Sequence, residues 1–360
     1  MRKTLSLLAI IAALSTTAFA ESSASFSGGE DYETVYQGAA PDYSVTISEG
    51  GATTVQIVYG KFEESGEGSA SGGKLVMTGG ALDNSSIYGG YAWEDASPAN
   101  DNIIYISGGQ LDSCGTVAGY AQGDGSVANG NTVIITGGEF ENGKIEAAYS
   151  LSGDAKDNTV TVSGGVFKGA ISLSCASALE GEAVGNTINL VGKGGELYVE
   201  SIDETLQGHE LNIPAIASTN ALNIYGKGIT SGGIMIYGEI NFYLAPDTQN
   251  GDTILTMAGT DFFSGDPTDS GIFGVNQVNV RCNGATLLEN GDTVTLVHNG
   301  SEGMTLVGTE GEVDIIKGVT AEYEGKVVKV GNDLVLQVGT GDTNDEALKS
   351  MTETRTDVAA

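Results

Sequence analysis

Cysteine is scarce in this 360-residue sequence, with three residues at 114, 175 and 282. Small secreted domains held by disulfides use many more. Cys114, Cys175 and Cys282 therefore read as small buried apolar side chains. A Cys114–Cys175 bridge would have to join residues about two repeats apart, beyond the ~7 Å Cα reach of a disulfide. Proline is down to five residues, which excludes collagen and proline-rich stalks. Basic residues are few: 15 Lys plus Arg stand against 47 Asp plus Glu, a net charge of −32. Such a chain repels phosphate backbones and anionic headgroups, so nucleic-acid binding and polybasic membrane attachment are set aside. The two histidines, His209 and His298, stand alone in polar surroundings and read as surface or turn residues. No His, Cys or carboxylate cluster has ligand spacing, so neither a metal nor a cofactor is expected.

Glycine, by contrast, is abundant at 55 residues, and an apolar fraction of 40% is enough to build a core. The first twenty residues read as a secretory signal peptide. Arg2-Lys3 begins it, Leu5 to Leu14 is almost wholly apolar, and Ala18-Phe19-Ala20 fits the small-residue cleavage rule ahead of Glu21. The mature chain then carries 13 Lys plus Arg against 47 Asp plus Glu, a net −34. No later stretch approaches the ~18 consecutive apolar residues of a transmembrane helix.

The chain repeats itself at intervals of about 28 residues. Lys74-Leu-Val-Met-Thr-Gly-Gly80, Ile103-Ile-Tyr-Ile-Ser-Gly-Gly109, Thr132-Val-Ile-Ile-Thr-Gly-Gly138 and Thr159-Val-Thr-Val-Ser-Gly-Gly165 align on a glycine pair. Thr187–Gly192 is a weaker copy and Val45–Gly51 a looser first one. Leu75/Met77, Ile104/Ile106, Val133/Ile135, Val160/Val162 and Ile188/Leu190 recur at every second site with mixed residues between and beside them, often Thr or Ser, the period of a strand with one face inward. Three residues past the first glycine stand Leu82, Leu111, Phe140 and Phe167, and a second strand follows around Ile87, Val117, Ile145 and Ile171. A polar stretch of variable length, such as 93–101 or 122–130, completes the unit. Each unit can bury its apolar edge only against its neighbours, so the expected fold is all-β, a right-handed parallel β-solenoid.

Asn102, Asn131, Asn158 and Asn186 each stand six positions before the glycine pair. In stacked coils they would form a side-chain amide ladder; turn preference explains the same residues without one. Tyr88, Tyr91, Trp93, Tyr120 and Tyr149 follow the second strand of successive units. Two readings stand: an aligned surface for carbohydrate or protein contact, or aromatics closing the core at a corner. Asp269-Ser-Gly271 lacks the strand–turn–helix setting of a nucleophile elbow and reads as a loop. Asp154-Ala-Lys-Asp157-Asn158 reads as a solvated acidic loop in preference to a weak Ca²⁺ site. Gly68–Lys74 has phosphate-loop spacing, but Leu75 and a strand follow where Ser/Thr and a helix belong.

Regularity fades after residue 200, and alternation continues loosely to about 245. Asn250-Gly-Asp-Thr-Ile-Leu-Thr-Met and Asn290-Gly-Asp-Thr-Val-Thr-Leu-Val are near copies, each opening on a hairpin signal. Gly331-Asn-Asp-Leu-Val-Leu-Gln-Val is a third strand of this kind. Thr343-Asn-Asp-Glu346 fits a capping box ahead of a helix.

This order resembles the secreted passenger portion of bacterial autotransporters, the type V secretion proteins, including pertactin-like members. The carriers are the signal peptide, the Asn-Thr-Val-x-Ile-x-Gly-Gly coils, Phe242-Tyr-Leu-Ala-Pro-Asp-Thr-Gln-Asn-Gly-Asp-Thr-Ile-Leu and Asn344–Arg355. The resemblance implies a signal peptide at 1–20, a β-solenoid at 21–245, an autochaperone-like β cap at 246–340 and a helical linker at 341–360. It also implies an outer-membrane barrel, which needs many strands of about ten residues. No such strands follow Ala360, and the expectation is a fragment rather than a barrel-less relative. The implied location is the cell surface, the outer membrane or the medium of a Gram-negative bacterium. The expected function is non-enzymatic adhesion or self-association, with a host or matrix protein, a carbohydrate or a second copy as partner. The alternatives are a polysaccharide-active solenoid enzyme and a structural stalk.

Overall fold

The computed structural model describes residues 24–27, 35–37, 43–49, 52–53, 57–63, 68–192, 197–199, 201–203, 219–231, 237–257, 272–282, 287–300, 305–307, 311–317 and 321–343. These residues form strands and turns, and equivalent strands of successive coils pair in parallel and in register. The result is a β-solenoid. Its first face stacks Val45/Ile47, Leu75/Met77, Ile104/Ile106, Val133/Ile135, Val160/Val162, Ile188/Leu190, Leu222/Ile224 and Ile240/Phe242. All of these side chains are buried. Strand alternation thus becomes a continuous hydrophobic wall running along the solenoid axis.

The glycine pair ends this face for two separate reasons. A Cβ on the first glycine (79, 108, 137 or 164) would sit 2.2–2.4 Å from a carbonyl oxygen of the preceding coil. The second glycine (80, 109, 138 or 165) has φ between 78° and 106°, the left-handed region that side chains resist. The second face then points Leu82, Leu111, Phe140 and Phe167 inward in one column, with Phe140 and Phe167 stacked at 4.8 Å.

On the third face the inward column is Val58, Ile87, Thr116, Ile145 and Leu173. Two expected positions shift. Thr116, not Val117, lies inside, and Leu173 rather than Ile171 follows Ile145. A slip of one residue reverses the face of a side chain, so Val117 stands in the outward column between Tyr88 and Glu146.

A short fourth side stacks Ala70, Ala99, Ala128, Ala155 and Ala183, all buried. Their backbones bond between coils, as in Ala99 N–H to the Val127 carbonyl and Ala128 N–H to that of Asp154, both at 2.9 Å. The polar stretch between units is therefore a narrow coiled side. Asp154–Asn158 belongs to it: Ala155 is core, and Lys156 pairs with Asp154 at 2.7 Å and with Glu182 at 2.9 Å.

The parallel pairing runs past the expected boundary at 245, through Ile272–Cys282 against Tyr237–Leu244 and Thr293–Asn299 against Thr253–Met257. Neither Asn250-Gly251 nor Asn290-Gly291 makes a hairpin, because the strand that follows each of them pairs with another coil. They are equivalent corners: Asp252 accepts from Gln249 N–H at 2.9 Å and Asp292 from Glu289 N–H at 2.8 Å. Antiparallel pairing starts where Thr293–Asn299 meets Asp333–Thr343, followed by Ala321–Val330 and Gly311–Lys317. Here Gly331-Asn332 is a two-residue hairpin loop between paired Val330 and Asp333. The strand Asp333–Thr343 covers the first three residues of the expected helix at 341–360, and the remainder lies outside the described residues, as does the signal peptide.

Candidate contact surface

The four asparagines stand above one another, fully buried. Asn102 donates both its backbone N–H and its Nδ2 to Asn131 Oδ1, each at 3.0 Å. Asn131 donates the same pair of groups to Asn158 Oδ1 at 2.8 and 3.1 Å, and Asn158 to Asn186 Oδ1 at 2.9 and 3.0 Å. Asn220 adds a rung that sequence reading passed over, accepting from Asn186 N–H at 2.8 Å. Its spacing of 34 residues, against 27 to 29 for the others, hides it from a fixed period. A second ladder, also unanticipated, lies outside the first face: Asn223 Nδ2 donates to Asn189, Asn241 to Asn223 and Asn279 to Asn241, at 2.8–2.9 Å.

The inner ladder shapes the outer surface. A Cβ at Gly90 would meet the Asn102 amide at 2.4 Å, and one at Gly119 would meet Asn131 Nδ2 at 2.2 Å. Glycine at these sites lets the backbone bend around the ladder. The bend turns both Tyr88 and Tyr91 outward, three residues apart, with their rings edge-to-face at 4.9 Å.

Tyr88, Tyr91, Trp93, Tyr120 and Tyr149 all come together on the outside of the third face. Tyr91 stacks on Tyr120 at 4.8 Å and Tyr120 on Tyr149 at 4.6 Å, with planes within 12°. Trp93 lies parallel to Tyr91 at 6.1 Å. Tyr59 and Phe62 extend the array one coil earlier, Tyr59 stacking on Tyr88 at 5.5 Å and Phe62 meeting Tyr91 at 5.7 Å. Their signal was present in the sequence, since Val58-Tyr-Gly-Lys-Phe62 matches Ile87-Tyr-Gly-Gly-Tyr91 position for position. Beside the rings runs a column of Trp93, Gln122, Leu151 and Leu179, set by Gln122 N–H to Ala92 O, Leu151 N–H to Ala121 O and Leu179 N–H to Ser150 O. Trp93 is 51% exposed, Leu151 39% and Leu179 37%. Large apolar side chains in line on an outer sheet face, interrupted in this column by Gln122, which accepts from the Tyr91 hydroxyl, make an apolar seam.

Close packing raises the tyrosine pKa values. Burial, then the neighbouring Tyr88, pushes Tyr59 up to about 12. Burial, then Tyr149, Tyr88 and Glu146, does the same for Tyr120, to about 12. Tyr88, Tyr91 and Tyr149 are also raised, mainly by burial. The seam ends at Glu146, a buried carboxylate that accepts from Ser177 and Ser174 and pairs with Lys144 at 2.9 Å.

Other chemistry is dispersed. Burial pushes the Cys114 thiol up to about 11, and no disulfide joins Cys114, Cys175 or Cys282. His298 does not stand alone, since its Nδ1 lies 2.9 Å from Asp333 Oδ1. His209 and Asp269-Ser-Gly271 lie outside the described residues. Among the described residues, no group of three or more His, Cys, Asp or Glu could hold a metal ion. A groove of about 250 Å³ on the second face is lined by Leu82, Asp83, Asp112, Phe140, Glu141 and Lys168, among others. Comparison with known proteins finds no matching family, no matching curated protein and no matching solved structure.

Proposed function

We propose that the chain is an exported passenger of autotransporter type, displayed on or released from a Gram-negative cell, whose solenoid mediates adhesion or self-association without catalysis. The observation that carries this reading is the seam. Seven aromatic side chains from successive coils gather on an outer face, Tyr59 and Tyr91 buried beneath their neighbours and Trp93 open to solvent, together with the exposed Leu151 and Leu179. In this reading the coils wind right-handed and the antiparallel strands after residue 299 close the stack as a cap. Residues beyond Thr343 then form the helical linker toward a membrane barrel.

The test is display of the full-length protein on cells. Cells carrying it should aggregate, or bind a panel of matrix proteins and glycans, more than cells carrying a deletion of 57–178. N-terminal sequencing of exported protein should begin at Glu21. Equal binding by both strains across the panel, or retention in the cytoplasm, overturns the proposal. A screen of the purified protein for released reducing or unsaturated sugars tests the enzymatic alternative.

A further inference from the structure

The seam is bordered by charged side chains. On one side, immediately past the Trp93–Leu179 column, lie Glu94, Asp95, Asp124 and Glu180, and Asp95 and Asp124 are held together by the Asp124 N–H to Asp95 Oδ1 bond at 2.8 Å. Among the described residues, none of these four carboxylates has a lysine or arginine within 4 Å; the lysine of that side, Lys156, is taken by Asp154 and Glu182. On the other side Asp83, Asp112 and Glu141 stand in register in one column, about 4.8 Å apart, followed by Lys168, which pairs with Glu139 at 3.1 Å. Among the described residues of the seam, the carboxylate of Glu146 is buried and paired with Lys144. The arrangement is an apolar, aromatic strip between two acidic margins.

Resting on the contact reading above, we propose that the seam docks a cationic, amphipathic polypeptide segment, an extended strand whose apolar side chains cover Tyr120, Tyr149, Leu151 and Leu179 while its Lys and Arg heads reach the margins. Three arguments select this occupant. The exposed Trp93 and the neighbouring carboxylates, which have no lysine or arginine partner, favour a cation over an anion, since a Lys or Arg head gains both indole and carboxylate contacts there. The ring faces already stack on one another, which leaves edges and not open faces for a sugar to lie on. A second copy would bring the same acidic margins against each other, in a chain of net charge −32.

Trp93 is the single tryptophan of the sequence and stands in the seam, so its fluorescence reports docking directly. The probe is a synthetic (Lys-Phe)₄ peptide titrated into the purified full-length protein, with (Glu-Phe)₄ and (Lys-Ser)₄ as comparisons. The lysine–phenylalanine peptide should shift Trp93 emission to the blue and bind at least about tenfold more tightly than either comparison. Its binding should weaken several-fold between 20 and 300 mM salt. Two variants locate it: Leu151→Ser with Leu179→Ser removes apolar cover, and Glu94→Gln, Asp124→Asn and Glu180→Gln together remove exposed charge without touching the core. Each should lower affinity about tenfold, with circular dichroism unchanged.

An unchanged Trp93 spectrum, equal binding of the acidic peptide, or full affinity in both variants overturns the proposal. So does sedimentation showing a dimer that the leucine variant abolishes, which would make a second copy the occupant. If the leucine variant loses cell binding while no cationic peptide docks, the partner class fails and the contact function stands. If peptides dock but displaying cells bind nothing, the contact function fails by itself.

Discussion

At the residue scale, the buried asparagines and the outer tyrosines are two consequences of one bend. Asn131 receives two donors from Asn102 and gives two to Asn158, so Asn131→Leu orphans both the N–H and the Nδ2 of buried Asn102, while Asn158 Oδ1 keeps the backbone N–H of residue 131. Orphaned buried groups cost about 1–3 kcal/mol each. The variant should lose roughly 3 kcal/mol or more in urea unfolding, whereas the exposed change Asp124→Asn should stay within about 0.5 kcal/mol. Equal losses would mean the ladder contributes nothing beyond its turn. The tyrosines titrate together with folding. Their folded pKa values are raised, so the stabilisation is complete below about pH 10 and declines as pH rises toward about 12, because the unfolded chain gives up its phenolic protons first. Absorbance at 295 nm should show Tyr59 and Tyr120 ionising about two pH units later than free tyrosine. Ionisation at the free value would contradict the packed geometry of the seam.

At the element scale, the coil is the unit that sequence can be read for, and it is also the unit that can be removed. Deleting residues 102–130, the 29-residue interval between successive ladder asparagines, joins Asp101 to Asn131 and preserves every inward column. The shortened protein should keep its β circular dichroism and a cooperative thermal transition, while deleting 102–115 should abolish both. The first two faces were legible because Val, Ile and Leu at alternate positions and a glycine pair are strong local signals. The slip at Val117 has a plain cause: Thr116 occupies an interior slot where a branched apolar residue is expected, and a polar side chain there disguises the phase. The alanine side escaped because Ala99-Asn-Asp-Asn102 carries almost no apolar area and reads as a loop, yet its backbone bonds make it a wall. The Asn250 and Asn290 turns misled for the opposite reason. Asn-Gly fixes a tight corner, but whether the strands that meet there pair with each other depends on contacts some forty residues away. The seam was half legible: the aromatic alignment is in the sequence, while the choice between core corner and outer face needed the bend over Gly90 and Gly119.

At the scale of the whole molecule, the inner ladder gives the stack an arrow. Every rung hands its backbone N–H to the next coil toward the C-terminus, from Gly73 N–H to Asn102 Oδ1 through Asn186 N–H to Asn220 Oδ1, while the Nδ2 groups of Asn158, Asn186 and Asn220 reach back to alanine carbonyls of the coil before. An unfinished column therefore shows a bare Oδ1 at its upstream end and a bare backbone N–H at its downstream end. A buried N–H without a partner is tolerated less well than an under-used oxygen. In matched pieces shortened by one rung at either end of 73–220, loss from the downstream end should cost about 1 kcal/mol more in chemical unfolding. The same arrow makes the two ends of the corner unlike: a coil added upstream meets a side-chain oxygen already in place, and one added downstream meets a backbone hydrogen.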